Sequence, residues 1–306
     1  MSSENTAVMA GRTAPPTSAG SDPPTAAPPE ELLIAVGIRP SPYRRLGLGL
    51  LLLIGLFAAF GPALIGIDPA QQDLMASLQP PSPAHWLGTD LLGRSVLSRL
   101  AEATRLSVGL ALVSALSAAV PGVLLGLVAA WLGGWIERLL VMLSDAVMSV
   151  PGLLLVLLFA TLAPGRYWAL YVGLALYLWV EYFRVTRATV RPLLASDAIQ
   201  ASRLLGFGSG YILKRHLLPA LAPILGTLLP FSAAQAVLAL AALGFINVGL
   251  RPPTPELGLM MIEFLPHYQE APWLIAAPVG VLILLVLAMM WLTERRTGLT
   301  KQRVSM

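Results

Sequence analysis

Apolar residues along this chain gather into six long runs, and charge, proline and glycine collect between them. The first run covers 46–67 and follows Arg39, Arg44 and Arg45. About 20 predominantly apolar residues carry a helix across the hydrocarbon core of a bilayer, and this run is long enough. The second run covers 106–131. The turn Gly133-Gly134 leads into the third, 136–163, with Pro151 near its middle. A membrane helix tolerates an internal proline where neighbours re-satisfy the freed carbonyl. The fourth run covers 167–182 and the sixth 273–292. The fifth, 217–248, contains Pro219, Pro223 and Pro230, which predict a kink. No run repeats another. The pattern predicts an all-α membrane protein with six transmembrane helices.

Composition supports this reading. The chain has 306 residues, 56% hydrophobic and only 12% charged. A soluble domain carries about 25% charged residues, so lipid must solvate much of this surface. Residues 1–40 differ: they are rich in Pro, Ala, Ser and Thr, with Pro15-Pro16, Pro23-Pro24 and Pro28-Pro29. Such a segment buries too little apolar surface to offset its ordering entropy, which predicts a disordered tail. It has no apolar stretch with a basic flank and does not read as a signal peptide. Within it, 32–38 is apolar enough for a brief interfacial helix. The organisation expected is a tail over 1–40, a membrane domain over 41–296 and a second tail over 297–306.

The net charge of +4 and a pI near 9.7 change the picture only when mapped onto the runs. With the N-terminus inside, fifteen Lys and Arg fall in inner segments, among them Arg138, Arg184, Arg187, Arg191, Arg203, Lys214 and Arg215. Five fall outside: Arg94, Arg99, Arg105, Arg166 and Arg251. Basic residues concentrate on the cytoplasmic side, so both termini are expected in the cytoplasm. The excess charge is then topological, and nucleic acid is not an expected partner. The sequence has no cysteine, which excludes disulfides and thiol chemistry.

The inner stretch 184–219 is the most informative. Asp197 can cap a short helix and Gln200, three residues on, can complete a capping box. Gly206 can end that helix in the left-handed conformation. Ser209 or Gly210 can start a second short helix, and Pro219 opens the next span. Arg203, Lys214 and Arg215 then face water or a partner. A plain surface loop is the competing reading; helical order and apolar Leu204, Leu205 and Tyr211 favour a docking element.

Here the chain resembles a known family. Gln200-Ala201-Ser202, Gly206 and His216-Leu217-Leu218-Pro219 look like the "EAA" loop of ABC importer permeases, with Gln200 where Glu is usual and Ser202 for the second Ala. The outer stretch 68–105 contains Gly88-Thr89-Asp90, Gly93-Arg94-Ser95 and Ser98-Arg99. This resembles the signature of the second permease of dipeptide, oligopeptide and nickel importers, with Ser95 for the usual Asp. A third stretch, 243–258, is also similar, with Leu257 for a common Trp. The family's closing Asn-Leu-Leu-Gly-Asp is replaced by residues 291–296. The resemblance covers roughly 40–296 and implies a type I ABC importer permease fold in a bacterial inner membrane. It implies as partners a homologous second permease, two ATPase subunits carrying ATP and Mg, and an extracytoplasmic substrate-binding protein. Gln200, Ala201, Ser202, Arg203, Gly206, Lys214, Arg215, His216, Leu218 and Pro219 would couple to the ATPase. The substrate would be a peptide or a nickel-type metal chelate.

Asp90 and Arg94 stand four apart and can pair if helical. Direct substrate contact and a solvated loop folded back on the bundle are both open for them. Charges inside spans are costly, which singles out Asp145 as a possible polar residue of the pathway, against a packing role. Glu181 and Arg184 read as an interfacial ion pair. His85, His216 and His267 lie in separate loops and form no metal-ligand set. Gly206-Phe207-Gly208-Ser209-Gly210 lacks the Gly-Lys-Ser/Thr ending of a phosphate-binding loop, so this chain is not expected to hydrolyse ATP or to hold a cofactor. A secondary transporter or channel is the alternative. It should show an inverted repeat or several midplane carboxylates, and neither is present.

Overall fold

The computed structural model describes residues 34–40 and 42–301. The chain divides into two units. One is the helical body, Ile38–Arg296. The other is built at the chain ends, where β1 (Ile34–Pro40) pairs with β2 (Arg295–Lys301) in a two-stranded sheet. Over 34–40 this strand stands where the sequence predicts a disordered tail (1–40) and a brief helix (32–38); residues 1–33, 41 and 302–306 lie outside the described ones. Ile34, Val36 and Ile38 alternate with smaller residues, a period-2 pattern that suits a strand as well as it does a helix turn.

The body contains α1 (Pro42–Ile65), α2 (Val96–Leu132), α3 (Gly134–Met148), α4 (Gly152–Leu162), α5 (Tyr167–Leu194), α6 (Asp197–Leu204), α7 (Ser209–Ile212), α8 (Leu218–Phe245), α9 (Leu257–Phe264) and α10 (Pro272–Thr293). Four helices are long and apolar enough to cross a membrane among the described residues: α1, α2, the rod Ser209–Phe245, and α10. The bent pair α3 and α4 makes a fifth if counted as one span. α5 has the length, 28 residues, but carries Glu181, Arg184, Arg187 and Arg191.

Three spans differ from expectation, each for a physical reason. α2 starts at Val96, ten residues early, because Ser95 accepts from the Ser98 amide at the N-cap. At 37 residues it is about 55 Å long and outreaches the hydrocarbon core. The third run is not one helix: α3 and α4 meet at 75° across Ser149, Val150 and Pro151. Proline offers no N–H and clashes with the carbonyl four residues back. Its own carbonyl accepts from the Leu154 and Leu155 amides and restarts the helix. Finally, α7 joins α8 through a π-helical turn, Leu213–Leu217. The expected second short helix and fifth span are therefore one rod of 37 residues. Pro223 and Pro230 lie inside α8, which stays one helix.

The core sits where α2 packs on α5, the most extensive helix contact in the bundle. Gly122 and Gly126, four apart on α2, make it possible. A Cβ at Gly122 would press on the Trp179 carbonyl and Tyr182, and one at Gly126 on Thr186 and the Phe183 carbonyl. Lipid tails are as apolar as leucine, so close backbone approach through small residues is what holds membrane helices together. α5 is thereby buried along Leu174, Leu178, Tyr182 and Phe183, and Tyr182 is 2.5 Å from Ser232 of α8.

Candidate functional site

Two loops and one pair of charges carry the candidate residues. In the connection from α5 to α8, Ser196 takes extended backbone angles and its carbonyl accepts from the Ile199 and Gln200 amides. Asp197 is thus the first helical residue, where its charge suits the helix dipole, and makes no side-chain cap. Gln200 donates to the Ala195 carbonyl at 3.0 Å, so the expected capping box does not form. Gly206 behaves as expected, with φ +81°. Its amide donates to Arg203, and that of Phe207 donates to Ser202. These are the two hydrogen bonds of a Schellman motif.

Ile199 anchors α6 in a buried cluster with Val190, Ile212, Leu217 and Leu221. Ser202 is buried and lies 3.1 Å from Nε2 of His216, so two motif positions fourteen residues apart meet. Phe207 stacks on Tyr211 at 4.3 Å, and Tyr211 meets His216 edge-on. Gln200, Ala201, Arg203, Lys214, Arg215, Leu218 and Pro219 are all exposed. So are Leu204 (89%) and Leu205 (76%), which together with Phe207 and Tyr211 give the turn an uncovered apolar ridge.

The loop between α1 and α2 is closed. Gly88 (φ +73°) and Gly93 (φ +70°) shape a tight hairpin bridged between Thr89 and Ser95. A Cβ at Gly93 would overlap the Asp73 carbonyl, and one at Gly88 the Gln79 carbonyl. Thr89 donates to the Ala76 carbonyl and accepts from the Gln79 amide. Asp90 accepts from the amides of Leu92 and Arg94, both at 2.9 Å. Its other oxygen takes Nε of Arg94 at 2.6 Å and Nη1 of Arg99 at 2.7 Å. Arg99 reaches on to Glu263 of α9 at 2.5 Å and lies over the Phe264 ring. Ser98 donates to the Ile67 carbonyl.

Asp90 and Arg94 therefore pair across a turn and not along a helix. Asp90 and Arg99 are each 1% exposed, so the motif is neither solvated nor open to a ligand from outside. Sequence reasoning missed Glu263, whose partner is 164 residues away.

Glu256 was also missed. It caps α9 by accepting from the Leu259 amide at 2.9 Å, and Ser107 of α2 donates to it. Gly244 and Gly258 leave room for it: a Cβ at Gly244 would overlap the carboxylate, and one at Gly258 would overlap Ala241 of α8. Burial raises its carboxyl above the ordinary 4.5, against backbone N–H groups and the Ser107 hydroxyl that pull it down. A raised folded-state value means that stability is fullest below the unfolded pKa and is lost as pH rises through the folded one. Glu256→Gln, which stays neutral, should flatten this part of the profile. Thermal melts of the detergent-purified protein from pH 4 to 8 read it directly. An unchanged slope would show that Glu256 is not the titrating group.

Among the charges in the spans, Asp145 of α3 pairs with Arg184 of α5 at 2.5 Å. Arg184 was expected to pair with Glu181, three residues away on its own helix; α3 supplies a closer carboxylate. One to two turns along α5, Arg187 and Arg191 both reach Glu137 of α3, at 2.5 and 2.7 Å.

Comparison with known proteins agrees with this architecture. Residues 122–297 match the family of binding-protein-dependent transport system inner membrane components, and 42–81 match the N-terminal transmembrane domain of oligopeptide transport permease C. The chain belongs to that inner membrane component family and is a multi-pass inner membrane protein. It is 33% identical over 250 residues to a dipeptide transport system permease protein of Haemophilus influenzae, covering 79% of this chain and 84% of the relative. A di/tripeptide transport system permease protein of Pseudomonas aeruginosa is 38% identical over 251 residues, covering 79% and 82%. A dipeptide permease of Alkalihalophilus pseudofirmus is 32% identical over 274 residues, covering 86% and 90%.

Proposed function

We propose that this chain is one of the two permease halves of an ATP-driven importer of di- and oligopeptides. The exposed apolar ridge on the Gly206 turn carries the reading. Leu204 ends α6 and Leu205 caps it within a Schellman closure, flanked by exposed Arg203, Lys214 and Arg215. Such a ridge fits a groove of a partner subunit, and the partner proposed is the ATPase. Peptide is favoured over a nickel chelate because the relatives are named as peptide permeases.

In this reading α1, α2, the bent α3–α4 pair, α5, α8 and α10 are six crossings, with both termini in the cytoplasm. The basic residues of the α5–α8 loop support that orientation. Two ATPase subunits with ATP and Mg work on the inner face. A homologous permease completes the pathway, and an extracytoplasmic binding protein delivers peptide. This chain contributes half of the path and performs no bond chemistry. Closure of the ATPases pushes the α6–α7 element, and the bundle changes the side to which it opens.

The test is uptake of labelled L-alanyl-L-alanine by cells in which this chain is deleted and then restored. Uptake should vanish on deletion, return on restoration, and require the binding protein. Uptake independent of the chain, or driven by an ion gradient without ATP, would overturn the reading.

A further inference from the structure

Non-helical backbone is tolerated at membrane depth only where it is buried in protein or lines water. The break between α3 and α4 meets a second costly feature at the same level. Asp145 lies one turn before the break and about two turns, or 12 Å, beyond Glu137 at the α3 start. Its side chain is 58% exposed and that of its partner Arg184 46% exposed, so the ion pair looks away from the bundle. Charges in the bilayer core face a bundle interior or a water-filled cavity, not lipid.

A third observation continues the surface. Tyr177, Glu181 and Arg184 follow at i, i+4 and i+7 on α5 and form one polar stripe. Tyr177 donates to Gln235 of α8 at 3.4 Å. Gly152, the first residue after the break, lies against the Tyr177 ring, and a Cβ there would overlap it. Broken backbone, an outward ion pair and a polar stripe thus share one face.

We propose that this face lines the water-filled path, and that Asp145 and Arg184 release each other to take the ammonium and carboxylate ends of a passing peptide. The proposal rests on the peptide-importer reading. Every free dipeptide carries both charged ends whatever its side chains. A protein ion pair that can exchange for them recognises the class and leaves the side chains unread. The exchange replaces one charge pair by two, so the carboxylate and guanidinium are never left bare.

The chain has no cysteine, so single cysteines report cleanly. In the assembled importer on open membranes, Asp145→Cys and Ser149→Cys should react with a cationic, membrane-impermeant thiosulfonate. Leu116→Cys, on the exposed apolar face of α2, should not. Excess L-alanyl-L-alanine should slow the reaction at Ser149→Cys, one turn away, where the ion pair is intact. Loss of a charged hydrogen bond should lower uptake about tenfold or more in Arg184→Gln, and Arg184→Lys should recover most of it. Assembled complexes unreactive at both cysteines would overturn the proposal, because the face would then be covered. Reaction unaffected by the dipeptide would overturn the exchange of ion pairs. A wild-type complex that fails to transport the dipeptide while both cysteines react would sink the peptide reading and leave the water-lined face standing.

Discussion

Asp90→Ala is expected to cost about 3–5 kcal/mol, the usual cost of removing one partner from a buried ion pair. The network holds two acids, Asp90 and Glu263, against Arg94 and Arg99. Removing Asp90 leaves two guanidinium groups, 5% and 1% exposed, facing one carboxylate. It also frees the Leu92 and Arg94 amides, which the same side chain satisfies. Folded proteins hold only about 5–15 kcal/mol in reserve, so the variant should accumulate poorly and melt well below the parent. Asp90→Asn should fall between the two, because it keeps an acceptor and loses the charge. Glu263→Gln should cost least, since its side chain is 23% exposed and water can replace it. Melting temperatures of the purified variants should follow the order Asp90→Ala, Asp90→Asn, Glu263→Gln. Equal stability of Asp90→Ala and the parent would mean that the network does not hold the loop.

Gly206→Val should leave insertion intact and abolish most coupled transport. At φ +81° a β-branched residue is strongly disfavoured. No atom lies within 4 Å of the added Cβ, so the effect comes from the backbone alone and not from a clash. Holding the left-handed region costs an ordinary residue about 1–2 kcal/mol, and leaving it breaks the Schellman closure. The ridge of Leu204 and Leu205 would then turn relative to α7. Gly208 sits at φ −73°, which any residue adopts, so Gly208→Ala should be nearly silent. Co-purification of the ATPase and uptake should fall together in Gly206→Val. Normal uptake in that variant would remove the α6–α7 element from the proposed coupling.

These two sites differ in how far the sequence disclosed them. Gly206 was legible because its meaning is local: a glycine eight or nine residues into a capped helical stretch has few other uses. The ends of α1 and α10 were legible because about 20 apolar residues have essentially one structure in lipid. The start of α2 was not. Arg99 and Glu102 look like loop residues until Asp90 and Glu263 are seen to neutralise Arg99, and Glu263 lies far along the chain. The elbow at Pro151 was hidden for a different reason. Hydropathy sums over a bend without registering it, and a proline alone does not tell a kink from a break. Arg184 offered two carboxylates to choose from, Glu181 on its own helix and Asp145 on another. Only the packing of α3 on α5 decided between them.

The π turn at Leu213–Leu217 leaves no joint between Tyr211 of α7 and the far side of the bundle. From Ser209 to Phe245 the backbone is one bar, about 55 Å long at 1.5 Å per residue. Such a bar is a lever. A tilt of about 5° about the Ser209 end moves the other end by about 5 Å, nearly the 5.4 Å of a helical turn. Two glycines, Gly244 and Gly258, place α9 and the buried Glu256 directly against that far end. On the proposed coupling, a push of a few degrees at the Ser209 end would be delivered as travel at the Phe245 end, without any helix having to melt.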